Sequence, residues 1–143
     1  MKIPLEFDKT RTRLSVVATV RIKSRGPVPV AFILDTGSPV TFIDEFVSSK
    51  VRVYAKDLEF DHDALMGGTK IAMHRADEVY MNFRDMGGEL AGIEFDDMMV
   101  ARTEWSRKEA VYSSISILGL DFLLKCKARL FVDPSENTAY IEK

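Results

Sequence analysis

Charged and apolar positions alternate through the first thirty residues, and the pattern resolves into a strand at Leu14–Ile22, where β-branched side chains dominate. The segment 23–29 (KSRGPVP) is rich in turn formers, and the mostly apolar run 28–34 (VPVAFIL) returns as a second strand. The two predict a hairpin that runs directly into Asp35-Thr36-Gly37-Ser38. A short helix is expected over 44–50, followed by an extended stretch at 51–54. The runs 58–65 and 70–75 are able to pair across Met66-Gly67-Gly68-Thr69, whose glycines permit the positive φ of a hairpin tip. Further strands are expected at 78–83, 93–101 and 113–118, the last ending on Gly119. A second short helix over 120–127 and closing strands at 128–132 and Thr138–Glu142 complete an all-β pattern with one or two short helices.

Length and composition narrow the picture. A chain of 143 residues suits one domain, spanning 1–143, and a domain of this size buries about 68–70% of its unfolded surface without metals or disulfides. Its 46% hydrophobic and 29% charged content is ordinary for a globular protein. Twenty Lys+Arg against 22 Asp+Glu give a net charge of −2, which removes the electrostatic footprint of a nucleic-acid binder. The basic clusters at 9–13 and 21–25 read as solvated strand ends beside turns. One cysteine, Cys126, requires no oxidising compartment, and no stretch approaches the ~20 apolar residues of a bilayer span. With no signal-peptide pattern either, a soluble cytoplasmic protein without membrane partners is expected.

Asp35 is the first residue with chemical potential. A carboxylate that follows seven largely apolar residues emerges from a buried strand at a tight turn. Gly37 permits close backbone approach there, and Thr36 and Ser38 offer hydroxyls to a neighbouring carboxylate. An Asp beside Gly is also the commonplace Asx turn that ends a strand, so the tripeptide alone leaves both readings open.

The wider context tips the balance. The segment Ile33–Ser38 (ILDTGS) resembles the catalytic loop of the retropepsin-like aspartic proteases. Ile117-Leu118-Gly119, with the helix after it, resembles the element that crosses beside that loop, and Met66-Gly67-Gly68 stands where the family carries its flap. The resemblance implies a closed β-barrel or sandwich subunit covered by a flap hairpin. It also implies hydrolysis of peptide bonds in an extended peptide or protein substrate, with no cofactor and no metal. Such catalysis places two carboxylates about one water, and like charges about 3 Å apart share a proton and titrate as a unit. This chain carries one such motif. Asp85-Met86-Gly87 is the only other Asp-x-Gly, but Asn82 and Arg84 precede it and it reads as a polar turn. A two-fold homodimer that joins two copies of Asp35 is the economical solution.

Carried over residue by residue, the resemblance makes Asp35 the catalytic acid/base and gives Thr36 a hydrogen bond across the dimer. The Gly37 amide and Ser38 hydroxyl would bond the carboxylates. Met66, Gly67 and Gly68 would close over the substrate, while Leu118 and Gly119 pack under the loop. The terminal segments, about Ile3 to Phe7 and Ala139 to Ile141, resemble the strands that interleave between retropepsin copies. Ser38-Pro39 is closer to pepsin-like and cellular versions than to common viral ones. The region 80–116 exceeds that of compact viral subunits, and the flap tip lacks the tyrosine of pepsin-like flaps. A non-catalytic module of this fold, serving dimerisation or peptide binding, is the alternative.

Other residues receive plain structural expectations. His62 and His74 fall on opposite arms of the flap hairpin, and Asp61-His62-Asp63 lacks a second ligand pair at metal-site spacing. Cys126 is expected to be a packed thiol, and Met98 and Met99 are expected in the core. Trp105 either covers a strand edge or contributes to an interface.

Overall fold

The computed structural model describes residues 1–66, 68–102 and 115–143. Leu14–Ile22 forms strand β3 as expected, with Val16, Ala18, Val20 and Ile22 buried on one face. Its partner β4 (Arg25–Asp35) is longer than the apolar run suggested, because the turn is confined to Lys23 and Ser24. A register shift between Val20 and Ile22 absorbs the Gly26-Pro27 segment, so pairing continues through residues that read as a turn. Gly26 has φ +112°, and a Cβ there would meet the Val20 carbonyl oxygen at 2.8 Å.

Before this hairpin lie β1 (Lys2–Pro4) and β2 (Glu6–Phe7); after it come β5 (Phe42–Asp44) and α1 (Glu45–Ser48). The Asp44 carboxylate caps α1 by accepting from the Phe46 N–H at 2.9 Å. A 3-10 turn over Ser49–Val51 and a left-handed Arg52 replace the first half of the extended stretch expected at 51–54, while Tyr54 is extended. Then follow the hairpin β6 (Glu59–Met66) and β7 (Thr69–Arg75), β8 (Val79–Arg84), β9 (Leu90–Glu94) and β10 (Met99–Ala101). The single strand expected over 93–101 is thus two, since the polar Asp96-Asp97 pair turns the chain between them. β11 (Ser116–Gly119), α2 (Leu120–Lys125), β12 (Arg129–Asp133) and β13 (Thr138–Glu142) complete the chain. Ser113 and Ser114 of the expected strand, and Trp105, lie outside the described residues.

The large sheet runs β6-β7-β10-β5-β11-β4-β3-β8-β9, with β2 added on β3. It is an open path among the described residues, not a closed barrel, and the mostly-β class stands. β1, β13 and β12 form a second, three-stranded sheet. In the single chain the terminal strands, expected to interleave between copies, pair with each other, Ile3 opposite Ile141, and bury both side chains. The β12–β13 hairpin offers β1 a ready edge in the same chain, and Ile3 and Leu5 reach the core by taking it.

Apolar side chains collect into two clusters. The larger contains Phe32, Phe83, Phe95, Phe122 and Met98; the smaller joins Phe42, Met73, Met99, Ala101 and Ile117 beneath the β6–β7 hairpin. Met98 and Met99 are therefore both core residues, one in each cluster. No described helix is long and apolar enough to cross a membrane.

Candidate active site

The position of Asp35 follows from one topological feature. β4 and β5 are consecutive in the chain but do not pair, because β11 lies between them, parallel to β4 and antiparallel to β5. The connection from Asp35 to Thr41 must therefore pass over the end of β11, where Gly119 stands opposite Asp35. A Cβ on Gly119 would meet the Val40 carbonyl oxygen at 2.5 Å and the Ser38 carbonyl oxygen at 2.8 Å. Only a glycine lets the two backbones approach this closely. Leu118 beside it is fully buried in the main core.

The loop is tied down from both sides. The Ser38 N–H donates to the Asp35 carbonyl at 3.0 Å, closing a β-turn, and the Leu120 N–H donates to the Ser38 carbonyl at 2.8 Å. The Gly37 N–H donates to Asp35 Oδ1 at 2.9 Å, orienting the carboxylate. Ser38 differs from expectation: its hydroxyl donates to the Val40 carbonyl at 2.8 Å, so its one proton is committed to the loop backbone and not to a carboxylate. Asp35, Thr36 and Gly37 are exposed in the single chain.

Beneath the loop lies a clamp that sequence reading missed. Thr41, fully buried, accepts from the Gly119 N–H at 2.9 Å and donates its hydroxyl to Asp121 Oδ1 at 2.7 Å. Its own N–H donates to Asp121 Oδ2 at 3.1 Å, and the Phe122 N–H donates to Asp121 Oδ1 at 2.9 Å. One side-chain pair thus joins the loop, the end of β11 and the start of α2. In the sequence Asp121 looks like an ordinary first-turn acid, favourable beside the helix dipole. Nothing in the one-dimensional pattern links it to a threonine eighty positions away.

A cavity of about 420 Å³ opens beside the loop. Asp35, Gly37, Ser38 and Val40 line one side, and His62, Ala64 and Met66 of β6 line another, with Phe42, Met73 and Ile117 between them. The structure therefore brings Asp35, Gly37, Ser38 and Met66 to one cleft, while Leu118 and Gly119 lie behind the loop. Met66 pairs with Thr69, and Gly68 has φ +80° at the hairpin tip; Gly67 lies outside the described residues. His62 and His74 sit on opposite arms of this hairpin as expected, but His62 reaches the cleft, which its polar surroundings in sequence did not suggest. Asp85 has no part in the site. It accepts from the Glu89 N–H at 2.9 Å within the β8–β9 turn. Cys126 is buried, and that burial pushes its thiol above the ordinary range.

An exposed carboxylate beside an apolar, strand-walled cleft can act as proton donor or acceptor toward an extended chain laid along the walls. No family model matches the sequence, and no curated protein does. Solved structures do match. A retropepsin-like aspartic protease from Rickettsia conorii aligns with TM-score 0.60 at 14% identity, over 99% of this chain and 98% of that one. EIAV protease, solved with the inhibitor HBY-793, aligns with TM-score 0.55 at 15% identity, over 87% of this chain and 98% of that one. The fold is retropepsin-like.

Proposed function

We propose that this retropepsin-like chain is one half of a homodimeric aspartic endopeptidase whose active site joins Asp35 of two copies. The observation that carries the proposal is the setting of Asp35. Its carboxylate is oriented by the Gly37 N–H on a loop anchored from behind, yet stays exposed at the mouth of the cleft. No second carboxylate shares its loop among the described residues, because Asp121 is bound to Thr41 on the buried side. Exposed Leu120 and Leu124 on the outer face of α2, next to the loop, support contact with a second copy.

In such a dimer the two carboxylates hold one proton and one water between them. The ionised carboxylate takes a proton from the water as its oxygen attacks the peptide carbonyl carbon. The protonated carboxylate gives its proton to the carbonyl oxygen, yielding a neutral gem-diol. Return of a proton to the amide nitrogen and collapse of the diol break the C–N bond and release acid and amine. The β6–β7 hairpin would exclude water and offer backbone hydrogen bonds to the substrate. Thr36, exposed on the loop, would bond across the two-fold. The single buried thiol fits a reducing compartment, and the cytoplasm is the proposed location.

Cleavage of an unfolded protein by wild type and Asp35→Asn, compared from about pH 3.5 to 7.5, tests the proposal, since shared-proton dyads titrate in or near that range. Cleavage by wild type alone, with a dimeric mass by light scattering for both, is expected. Equal cleavage by Asp35→Asn would refute the role of Asp35. Peptide binding without cleavage by wild type would make the chain a binding module.

A further inference from the structure

The hairpin strand β6 carries an irregularity that presents a second polar group to the cleft. From Met66 opposite Thr69 to His62 opposite Met73 the register with β7 advances one for one; it then jumps to Phe60 opposite His74. Asp61 is therefore the extra residue of a β-bulge, a device that bends a strand and re-aims its side chains. Consecutive strand residues normally point to opposite faces. Here Asp61 Oδ2 and His62 Nδ1 lie 2.6 Å apart, while His62 lines the same cavity as Asp35.

An ionised carboxylate only accepts hydrogen bonds, so Nδ1 carries the proton and donates to Asp61. Nε2 is then the nitrogen left to meet a ligand, and it forms no hydrogen bond among the described residues. With the imidazole neutral the Asp61–His62 pair carries one negative charge; with it protonated the pair carries none. In the neutral form Nε2 is an acceptor and the negatively charged pair repels a carboxylate, and it is this form that the cleft presents to a cationic donor. Glu59 and Asp63 add negative charge on the same strand. The described cations of the hairpin lie elsewhere in register, Lys70 opposite Leu65 and Arg75 opposite Glu59.

We infer that His62, held by Asp61, is a specificity-determining residue of the cleft that selects a hydrogen-bond-donating peptide side chain, lysine or arginine foremost. The inference rests on the proposed peptide-cleaving function and deepens it. The flap strand reads the substrate through a bulge-positioned imidazole, and the apolar surface of Phe42, Met73 and Ile117 takes the stem of the long basic side chain.

The test uses matched peptides that differ at one position, Lys, norleucine or Glu, scanned across the residues flanking the cleavage site. Cleavage is measured for the wild type, and binding of the same peptides is measured for Asp35→Asn, both at about pH 7.5, where an ordinary imidazole is neutral. At one position Lys is expected to be preferred over norleucine about tenfold, equivalent to about 1.4 kcal/mol. The Lys/norleucine ratio should fall to about one in His62→Leu and recover in part in His62→Gln, whose amide oxygen also accepts a hydrogen bond. An unchanged ratio in His62→Leu, or a preference for Glu in wild type, would overturn the inference. If wild type binds Lys peptides through His62 but cleaves none, the specificity role stands and the endopeptidase reading falls. If no peptide binds, both fall.

Discussion

Replacing Thr41 with valine removes one oxygen and changes almost nothing else, which makes it a sharp probe of the clamp beneath the catalytic loop. Valine is nearly the same shape, so no cavity opens, and the Thr41 N–H to Asp121 bond can persist. Two losses remain. The hydroxyl bond to the Asp121 carboxylate is charge-assisted, a class that contributes about 1.5–3 kcal/mol. The Gly119 N–H loses its acceptor in a buried site, at a cost of about 1–3 kcal/mol. Allowing for partial relaxation, the variant should be less stable by about 3 kcal/mol, a large part of the ~5–15 kcal/mol of a typical domain. For a chain of this length that lowers Tm by about 10 °C. Urea unfolding at fixed protein concentration measures it, because association makes the midpoint concentration-dependent. Thr41→Ser keeps the hydroxyl and should cost about 1 kcal/mol for its lost methyl. A Thr41→Val protein as stable as wild type, or a Thr41→Ser protein less stable than Thr41→Val, would refute the reasoning.

Gly119→Ala must push backbone atoms of Ser38 or Val40 aside, so it should lose about 1–3 kcal/mol in urea unfolding and about a hundredfold in turnover through a displaced loop. Wild-type turnover in that variant would show that the close approach does not set the position of Asp35. Thr36→Val should raise the dimer dissociation constant measured by sedimentation while leaving the fold intact; an unchanged constant removes Thr36 from the interface. Burial raises the Cys126 thiol, so it stays protonated in the native state and should react with thiol reagents at pH 8 far more slowly than in urea. Below the thiol's unfolded value neither state ionises and stability is independent of this group. As pH rises past it the unfolded chain loses its proton first, so stability falls in alkali, and Cys126→Ala should flatten that decline.

The strands with continuous β-branched or alternating patterns were legible from the sequence, and so was the order of motif, hairpin and helix that carries the fold. Misreadings came where local chemistry and tertiary pairing disagree. Gly26 and Pro27 look like a turn but lie in a strand, where they form a bulge of β4 opposite Arg21 of β3. Asp96 and Asp97 interrupt what reads as one apolar run. Asp35, Gly37 and Gly119 stood out because a tight loop needs those residue types. Thr41 and Asp121 did not, and His62 is legible as a hairpin residue but not as a cleft residue, since these roles arise from contacts between distant segments or from a bulge that re-aims one side chain. The pairing of β1 with β13 was likewise invisible, because sequence pattern marks a strand as fit to pair without naming its partner.

Mixing wild-type and Asp35→Asn chains tests most directly the claim that one active site is shared by two copies. After random exchange only wild-type pairs hold two Asp35 carboxylates, so an equal mixture at fixed total chain concentration should keep about one quarter of the wild-type activity. A steady retention of about one half, linear in the wild-type fraction, would mean that each chain acts alone and would contradict the shared dyad.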